Sequence, residues 1–404
     1  MKAILIHIFS LFLLFGNTVW SQPTNNMDFH YKIFHKDSVN STIFIKMDLN
    51  TYLATKVNDS KYVKIGLSAV LTNTKNNTSY KVTREFNLDL STMKNGIHES
   101  SFDVAMEDAD YELKLTIEDL NFNKKKEEVR GFSKNKKCNA ENFMIFNPDS
   151  SIVYFQENPS SESIRVFGTY LNCDTLEVRI YDEIQTIALP PFASKRNYPD
   201  FGSYSSKVYQ ICPNIDFELT KIKNKTLYIS TENSKGEDGF LFTRFANHYP
   251  KIKTVDLLVE PLRYISSRDE YAVLTDTTVH RRAEFEKFWL DKSRQNKDQA
   301  RYLIREYYSR VEFANEHFST YKEGWKTDKG MVLIVFGIPE RIENEGGQEE
   351  RWIYEGKSGR SSMSFSFYRE EGNFQENDYA LIRNPIFRGQ WYDAVDSWRS
   401  GVPY

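Results

Sequence analysis

Residues 299–336 most constrain the fold, because a helix-like pattern gives way there to an unbroken apolar run. Apolar residues at three- and four-residue spacing predict an amphipathic helix over Gln299–Phe318; they are Ala300, Leu303, Ile304, Tyr307, Val311, Ala314 and Phe318. Gly324 stands where a helix C-terminus needs a residue tolerant of positive φ. Met331–Phe336 is wholly apolar and is followed by Gly337-Ile338-Pro339, so we predict a buried strand there.

The residues that join these two elements, 324–330, read Gly-Trp-Lys-Thr-Asp-Lys-Gly. This segment resembles the signature of the GWxTD domain, a family common in envelope proteins of Bacteroidetes-type bacteria. The likeness runs from about Leu257 to the end of the chain and includes Phe285–Trp289, Tyr307–Asn315, Gly337–Pro339 and Arg351–Tyr354. Relatives usually have a proline-containing turn before the long helix, whereas Asp291–Asp298 has no proline. The resemblance places a domain at residues 257–404 and implies no particular chemistry.

Residues 1–21 have the pattern of a cleaved signal peptide. Lys2 is a minimal charged region, residues 3–15 are apolar, and Val19-Trp20-Ser21 offers small or β-branched residues at the cleavage site. We predict cleavage before Gln22 and, since no cysteine follows the apolar run, no lipid attachment. The alternative, a membrane anchor, needs about 20 apolar residues. The expected location is periplasmic or extracellular, with no transmembrane segment after signal cleavage.

Charge and cysteine content narrow the classes of partner. The chain has 53 Lys+Arg and 56 Asp+Glu, a net charge of −3, which gives no electrostatic basis for binding nucleic acid. The histidines lack the spaced partners of a structural metal site, so we expect no metal and no cofactor. Cys173 and Cys212 fall within one predicted domain, and a disulfide between them is left open.

Residues 22–133 have the pattern of an antiparallel β-sandwich. Apolar and polar residues alternate in short runs separated by turn clusters, with no helical segment between them; the runs are Thr42–Met47, Tyr62–Leu71, Tyr80–Thr83 and Tyr111–Ile117. The run Ala109–Leu115 is similar to the penultimate strand of an immunoglobulin-like domain, in which a tyrosine, here Tyr111, fixes the corner.

A second β-sandwich is predicted at residues 140–250, after a polar linker, Lys134–Asn139, that we interpret as a solvated connection. Its strand-like runs are Ile152–Phe155, Ile164–Leu171, Leu176–Tyr181 and Leu227–Ser230. Leu189–Tyr204 is too irregular for a strand and is either a plain loop or a recognition loop.

Residues 257–404 are predicted to form an α+β domain. Besides the long helix, helical patterns cover Pro261–Tyr264, Arg268–Leu274, Val279–Leu290 and Trp391–Arg399. Strand patterns after the apolar run cover Arg351–Tyr354, Met363–Tyr368 and Ala380–Ile382. The predicted architecture is therefore multidomain: two antiparallel immunoglobulin-like sandwiches followed by an α+β domain.

The signature residues allow a structural and a catalytic interpretation. In the structural one, Gly324 ends the helix, Trp325 covers the core, and Thr327 and Asp328 bond backbone donors in the turn. Lys329-Gly330 is then the turn tip, and Gly337 and Pro339 stop the strand. In the catalytic one, Asp328 is an acid or base in a polar cluster with Arg310, Asn315 and Glu286. We favour the structural interpretation, since side-chain-to-backbone bonding explains these residue types without a substrate.

Arg310 lies at the edge of the apolar stripe of the long helix, and two pairings remain open for it. A buried guanidinium would need a carboxylate, for which Asp328 is the candidate. An exposed guanidinium would pair with Glu306 four residues earlier.

We expect a non-enzymatic binding or assembly protein of the cell envelope, acting with an envelope protein partner. One alternative is an enzyme with a cleft between the second sandwich and the α+β domain, using Asp328, Arg310 and Glu286. The other is a carbohydrate or peptide binder that uses aromatic residues of Phe192–Tyr204.

Overall fold

The computed structural model describes most of the chain after residue 26. The described residues are 27–58, 60–134, 138–154, 158–168, 175–182, 186–196, 204–210, 216–231, 239–246, 248–343, 348–356, 362–369 and 378–404. The predicted signal peptide, with its cleavage site before Gln22, lies outside them, and so do Cys173 and Cys212.

The first part of the chain forms two antiparallel sheets that share one core. The strands are β1 (Asp28–His35), β2 (Asn40–Asp48), β3 (Thr55–Val57), β4 (Ser60–Asn73), β5 (Ser79–Asp89), β6 (Ile97–Ala105), β7 (Ala109–Asp119) and β8 (Lys124–Lys134). One sheet has the order β1-β2-β6; the other has the order β3-β4-β7-β8, with β5 also pairing with β4. Buried and less buried residues alternate along β4 and β7, as the sequence pattern predicts for strands with one face on a core.

Tyr111 makes the contact expected of a tyrosine that fixes a corner. Its hydroxyl accepts a hydrogen bond from the Glu107 backbone N–H at 3.0 Å and donates to the Glu107 carbonyl at 3.3 Å. The bond ties the start of β7 to the segment that precedes it. Residue 111 is also buried, at 8% exposure, against Phe132 of β8.

A second group of strands follows, again in two antiparallel sheets. The strands are β9 (Phe143–Phe146), β10 (Ile164–Gly168), β11 (Thr175–Tyr181), β12 (Tyr204–Gln210), β13 (Asp216–Leu219), β14 (Lys225–Thr231) and β15 (Gly239–Arg244). The sheet orders are β13-β10-β9 and β12-β11-β14-β15. The strand predicted at Ile152–Phe155 is wrong: of its described residues, Ile152 forms only an isolated bridge to Phe146. The turn at residues 147–151 folds that short segment back on β9 instead.

At its described ends, the junction between these two β regions is not the solvated linker that its polar sequence predicts; residues 135–137 lie outside the described residues. Lys134 is 1% exposed and its ammonium donates to the Ser41 hydroxyl at 3.0 Å. Cys138, at the far side of the junction, is also buried. Arg130 of β8 pairs with Glu141, and both side chains are nearly fully buried. Because buried charged side chains need partners, the ion pair of Arg130 and Glu141 stabilises the contact between β8 and the turn that precedes β9.

In its described residues, the C-terminal region combines six helices with a four-stranded antiparallel sheet. Its helices are α1 (Val255–Val259), α2 (Arg268–Thr275), α3 (Arg281–Lys292), α4 (Lys297–Phe318), α5 (Asp328–Phe336) and α6 (Arg388–Arg399), with a 3₁₀ turn at Glu260–Tyr264. The sheet has the order β16 (Arg341–Glu343), β17 (Glu349–Tyr354), β18 (Met363–Arg369) and β19 (Tyr379–Leu381). The predicted helices, and the strands predicted after the apolar run, correspond to elements of this region with shifted ends.

The apolar run Met331–Phe336 is the main correction, since it is α5 and not a strand. Every residue of α5 is buried, between α4, β19 and α6. A helix that is buried all round has no polar face, so its sequence lacks the 3.6-residue period and looks like a buried strand. Gly337, at φ 86°, ends α5 and donates its N–H to the Leu333 carbonyl at 2.8 Å.

Candidate functional site

Two glycines allow close backbone contacts in the signature segment: Gly324 lies directly on α4, and Gly330 lies directly on Gly324 of the same segment. A Cβ on Gly324 would stand 1.8 Å from the Ala314 carbonyl oxygen, and one on Gly330 would stand 1.9 Å from the Gly324 carbonyl oxygen. The expectation that Gly324 closes the long helix is wrong, because α4 ends at Phe318 and residues 324–326 form a separate 3₁₀ turn. Gly330 likewise lies within α5 and is not a turn tip. Both positions need glycine for backbone contact.

Thr327 is the N-cap of α5. Its hydroxyl accepts a hydrogen bond from the Gly330 N–H at 3.0 Å and donates to the Gly324 carbonyl at 2.7 Å. It therefore satisfies an N–H that the first turn of a helix leaves without a partner. The sequence predicts side-chain-to-backbone bonding at this residue before a strand, whereas the element that Thr327 caps is a helix.

Trp325 is enclosed, at 2% exposure. Its backbone N–H donates to the Asn315 side-chain oxygen at 3.1 Å, and its carbonyl accepts from the Tyr264 hydroxyl at 2.9 Å. The indole N–H donates to Glu323 at 3.0 Å. The main-chain and indole polar groups are thus bonded within the domain, as a core anchor requires.

Asp328 is buried, with 3% of its side chain exposed, in the first turn of α5. Arg383 donates to both of its carboxylate oxygens, at 3.0 and 2.5 Å, and the Leu381 N–H donates at 2.9 Å. These partners follow it by more than 50 residues, so the carboxylate joins α5 to the end of β19. The expected bonds within the turn are absent from the contacts described for this side chain.

Asp328 belongs to a group of buried charges that we call the charge cluster: Arg196, Lys322, Asp328, Asp378 and Arg383. Arg196 pairs with Asp378 at 2.9 Å and approaches Asp328 at 4.0 Å. Burial lowers the pKa of Lys322, an effect that Asp378 and Asp328 oppose. Paired charges of this kind join distant segments of the chain, and breaking one partner of a buried pair is costly.

Residues 186–196, which we call the strap, run along the C-terminal region and bring Arg196 to the cluster. The Ala188 N–H donates to the Lys326 carbonyl at 2.9 Å. Arg383 donates to the Leu189 carbonyl at 3.2 Å, and the Asn384 N–H donates to the Pro191 carbonyl at 3.0 Å. Phe192 packs with its ring centroid 5.6 Å from that of Tyr392. Of the segment expected to be either a plain loop or a recognition loop, residues 189–196 are therefore packed on the domain, and residues 197–203 lie outside the described residues.

Two further ion pairs involve the two lysines of the signature. Lys326, at 1% exposure, pairs with Glu323 at 2.7 Å. Lys329 pairs with Glu350 at 2.9 Å, and its ammonium lies 3.5 Å from the centre of the Tyr379 ring. Both lysines of the segment thus have anionic partners in the interior, which buried ammonium groups require.

The polar cluster expected from the sequence does not form around Asp328. Arg310 pairs with Glu306 at 3.0 Å and donates to the carbonyls of Ile334 and Tyr404. Of its two open pairings the structure has the one with Glu306, although the guanidinium is mostly buried, over the Trp398 ring. Asn315 bonds Trp325 and Pro250, and Glu286 pairs with Arg282 on α3.

Sequence reasoning missed Arg196, Lys322, Asp378 and Arg383. No local pattern marks them; Arg196 and Asp378, for example, pair across 182 residues of sequence. Within the described ranges, no group of three or more His, Cys, Asp or Glu residues is placed to hold a metal ion. No helix in the same ranges is long and apolar enough to cross a membrane.

The buried signature and the strands around it define an α+β domain that follows two β regions. Residues 226–400 match the family model of the GWxTD domain, so this part of the chain is a GWxTD domain. The match begins within the region predicted as the second sandwich. It does not include the strap, which precedes it in sequence.

Two other comparisons add little. No curated protein matches the chain. Among solved structures, the crystal structure of CBD12 from CALX1.2 is similar over 61% of this chain and 93% of that one, at 12% identity and a TM-score of 0.15. A TM-score this low carries no argument about fold or function.

Proposed function

We propose that this protein is a non-enzymatic binding or assembly component of the bacterial cell envelope, in which the GWxTD domain docks an envelope protein. The pattern of residues 1–21 supports export by a cleaved signal and a periplasmic or extracellular location. The two β regions that precede the domain, proposed as immunoglobulin-like sandwiches, would position it or bind on their own.

The proposal rests on the burial and hydrogen bonding of the Asp328 carboxylate. Three donors from Arg383 and Leu381 occupy its oxygens, and 3% of the side chain is exposed. A general acid or base must reach a proton of the substrate, within hydrogen-bond distance or through one water. A carboxylate held in this way supports the fold, so we assign the function of the domain to its surface.

The C-terminal surface offers a docking face at residues 382–392. Ile386 is 69% exposed and Tyr392 is 52% exposed, and Ile382 nearby is 47% exposed. These three exposed apolar residues fall within one short stretch of the chain, and contiguous exposed apolar surface is typical of protein interaction sites. The charge cluster and the strap hold the backbone beneath this face, since Arg383 and Asn384 bond the strap directly.

Site-specific photo-crosslinking in cells tests the docking face. A photoreactive residue at Ile386 should give a discrete crosslinked product with another envelope protein. The matched control is Tyr302 on α4, which is also an exposed hydrophobic, at 43%. Equal labelling at both positions, or none at Ile386, would contradict docking through this face.

A further inference from the structure

The edge of β5 is an unusual feature of the first β region. This strand has 11 residues and pairs with β4 on one side. Among the described residues, no strand pairs with its other side. Nine of its residues, 79–87, are exposed or half-buried, so a long row of main-chain donors and acceptors faces solvent.

The β4–β5 register identifies which backbone groups of β5 point outward. The Asn73 N–H donates to the Thr78 carbonyl at 2.9 Å, and hydrogen-bonded pairs then recur at every second residue. Tyr80, Val82, Arg84 and Phe86 therefore bond β4. Ser79, Lys81, Thr83, Glu85 and Asn87 present their N–H and C=O groups to the free edge.

Two copies of the β5 edge have complementary charges when they pair in one particular register. If two β5 strands pair in antiparallel fashion about a two-fold axis at Thr83, outward groups meet outward groups, and Lys81 stands opposite Glu85 twice. On the other face, Tyr80 stands opposite Phe86. An axis at Lys81, Arg84 or Glu85 would place like charges directly opposite each other, which destabilises a strand pair. An axis at Val82 places Lys81 opposite Thr83 and forms no ion pair.

We propose that β5 pairs with β5 of a second copy of this chain, so that the two sheets become one across an axis at Thr83. Arg84 does not obstruct the edge, because its guanidinium is bound to the Ser101 carbonyl of β6 at 2.9 Å. The occupant is another copy because opposite charges and aromatic residues then match in one register. The proposal goes beyond the docking role and uses no surface of the GWxTD domain.

Cysteine crosslinking of the full-length protein tests the register. Directly opposite, hydrogen-bonded residues have Cα atoms about 5.5 Å apart, within the range for a disulfide. Thr83→Cys should form a disulfide-linked dimer under mild oxidation, above the background of the wild-type cysteines. Lys81→Cys and Glu85→Cys should each fail alone, since like positions lie roughly 14 Å apart along the strands, but an equal mixture of the two should crosslink.

Charge reversal provides an independent readout by analytical ultracentrifugation. Lys81→Glu or Glu85→Lys alone should weaken dimerisation on the order of tenfold, because two attractive pairs become repulsive. The double variant should restore it. A wild-type protein that stays monomeric at every concentration, or crosslinking that is equal at residues 81, 83 and 85, would overturn the proposal; the charges of β5 would then serve to protect the edge from pairing.

Discussion

At the scale of single residues, the signature is explained by close backbone contacts at its glycines and by hydrogen bonds and ion pairs at its polar side chains. Gly324 is required because the backbone of α4 stands where its Cβ would be. The sequence could mark this glycine as special, but it could not distinguish a helix end from a backbone contact. That distinction depends on Ala314, ten residues earlier, and on how the chain turns between the two positions.

Gly324→Ala should therefore destabilise the domain strongly. A Cβ placed 1.8 Å from the Ala314 carbonyl oxygen forces two backbone segments apart, and we expect a loss of about 3 kcal/mol or more in the free energy of unfolding. Gly389→Ala is the control, because a Cβ there meets nothing within 4 Å. It should be neutral or stabilise α6 by up to about 1 kcal/mol. Denaturant unfolding of both variants measures the difference, and equal effects would show that Gly324 is not a close contact.

His35 predicts a pH dependence for the first β region. Its ring lies between the Ser41 hydroxyl, 2.8 Å away, and the Ser133 carbonyl, 3.2 Å away, and burial lowers its pKa to about 4. The folded state therefore binds fewer protons than the unfolded state between pH 4 and 6.5. The stability that the neutral His35 ring contributes is therefore fully present above about pH 6.5. The free energy of unfolding falls by up to about 3 kcal/mol as the pH drops to 4. Urea unfolding across this range should show the fall for wild type and a smaller one for His35→Gln.

At the scale of elements, the sequence predicts helices with a polar face and strands with one buried face. The long helix α4 and strands such as β4 have clear periods and were predicted correctly. The helix α5 was predicted wrongly because it is buried on every side, and its nine residues are short enough for a strand. The residue that distinguishes the two is Thr327, whose N-cap role was available from its type and position.

Thr327→Ala should destabilise α5 through loss of its N-cap. The Gly330 N–H is buried and would have no acceptor, so we expect a cost of about 1–2 kcal/mol in the free energy of unfolding. Thr327→Ser keeps the hydroxyl and should cost clearly less. If the serine variant is as unstable as the alanine variant, the methyl group of Thr327 matters and the cap does not.

At the scale of the whole molecule, the order of regions was predictable from the sequence, but their connections were not. Two β regions followed by an α+β domain emerge from runs of strand and helix patterns. The pairing of Arg130 with Glu141, and of the strap with Asn384, depends on tertiary packing that no periodicity encodes. For the same reason the charge cluster was missed, since Arg196 and Arg383 lie 132 and 55 residues from Asp328 in sequence.

The central claim is that Asp328 supports the fold and performs no chemistry. Asp328→Asn leaves Arg383 buried without its counter-charge and should cost about 3 kcal/mol in the free energy of unfolding. Asp298→Asn, which alters an exposed pair with Arg301, should change little.

Unfolding free energy and complementation of a deletion strain, measured together on Asp328→Asn, test this claim most directly. We expect a destabilised protein whose ability to complement falls only in proportion to the amount of folded protein. A variant as stable as wild type that fails to complement would contradict it and would assign Asp328 a functional role.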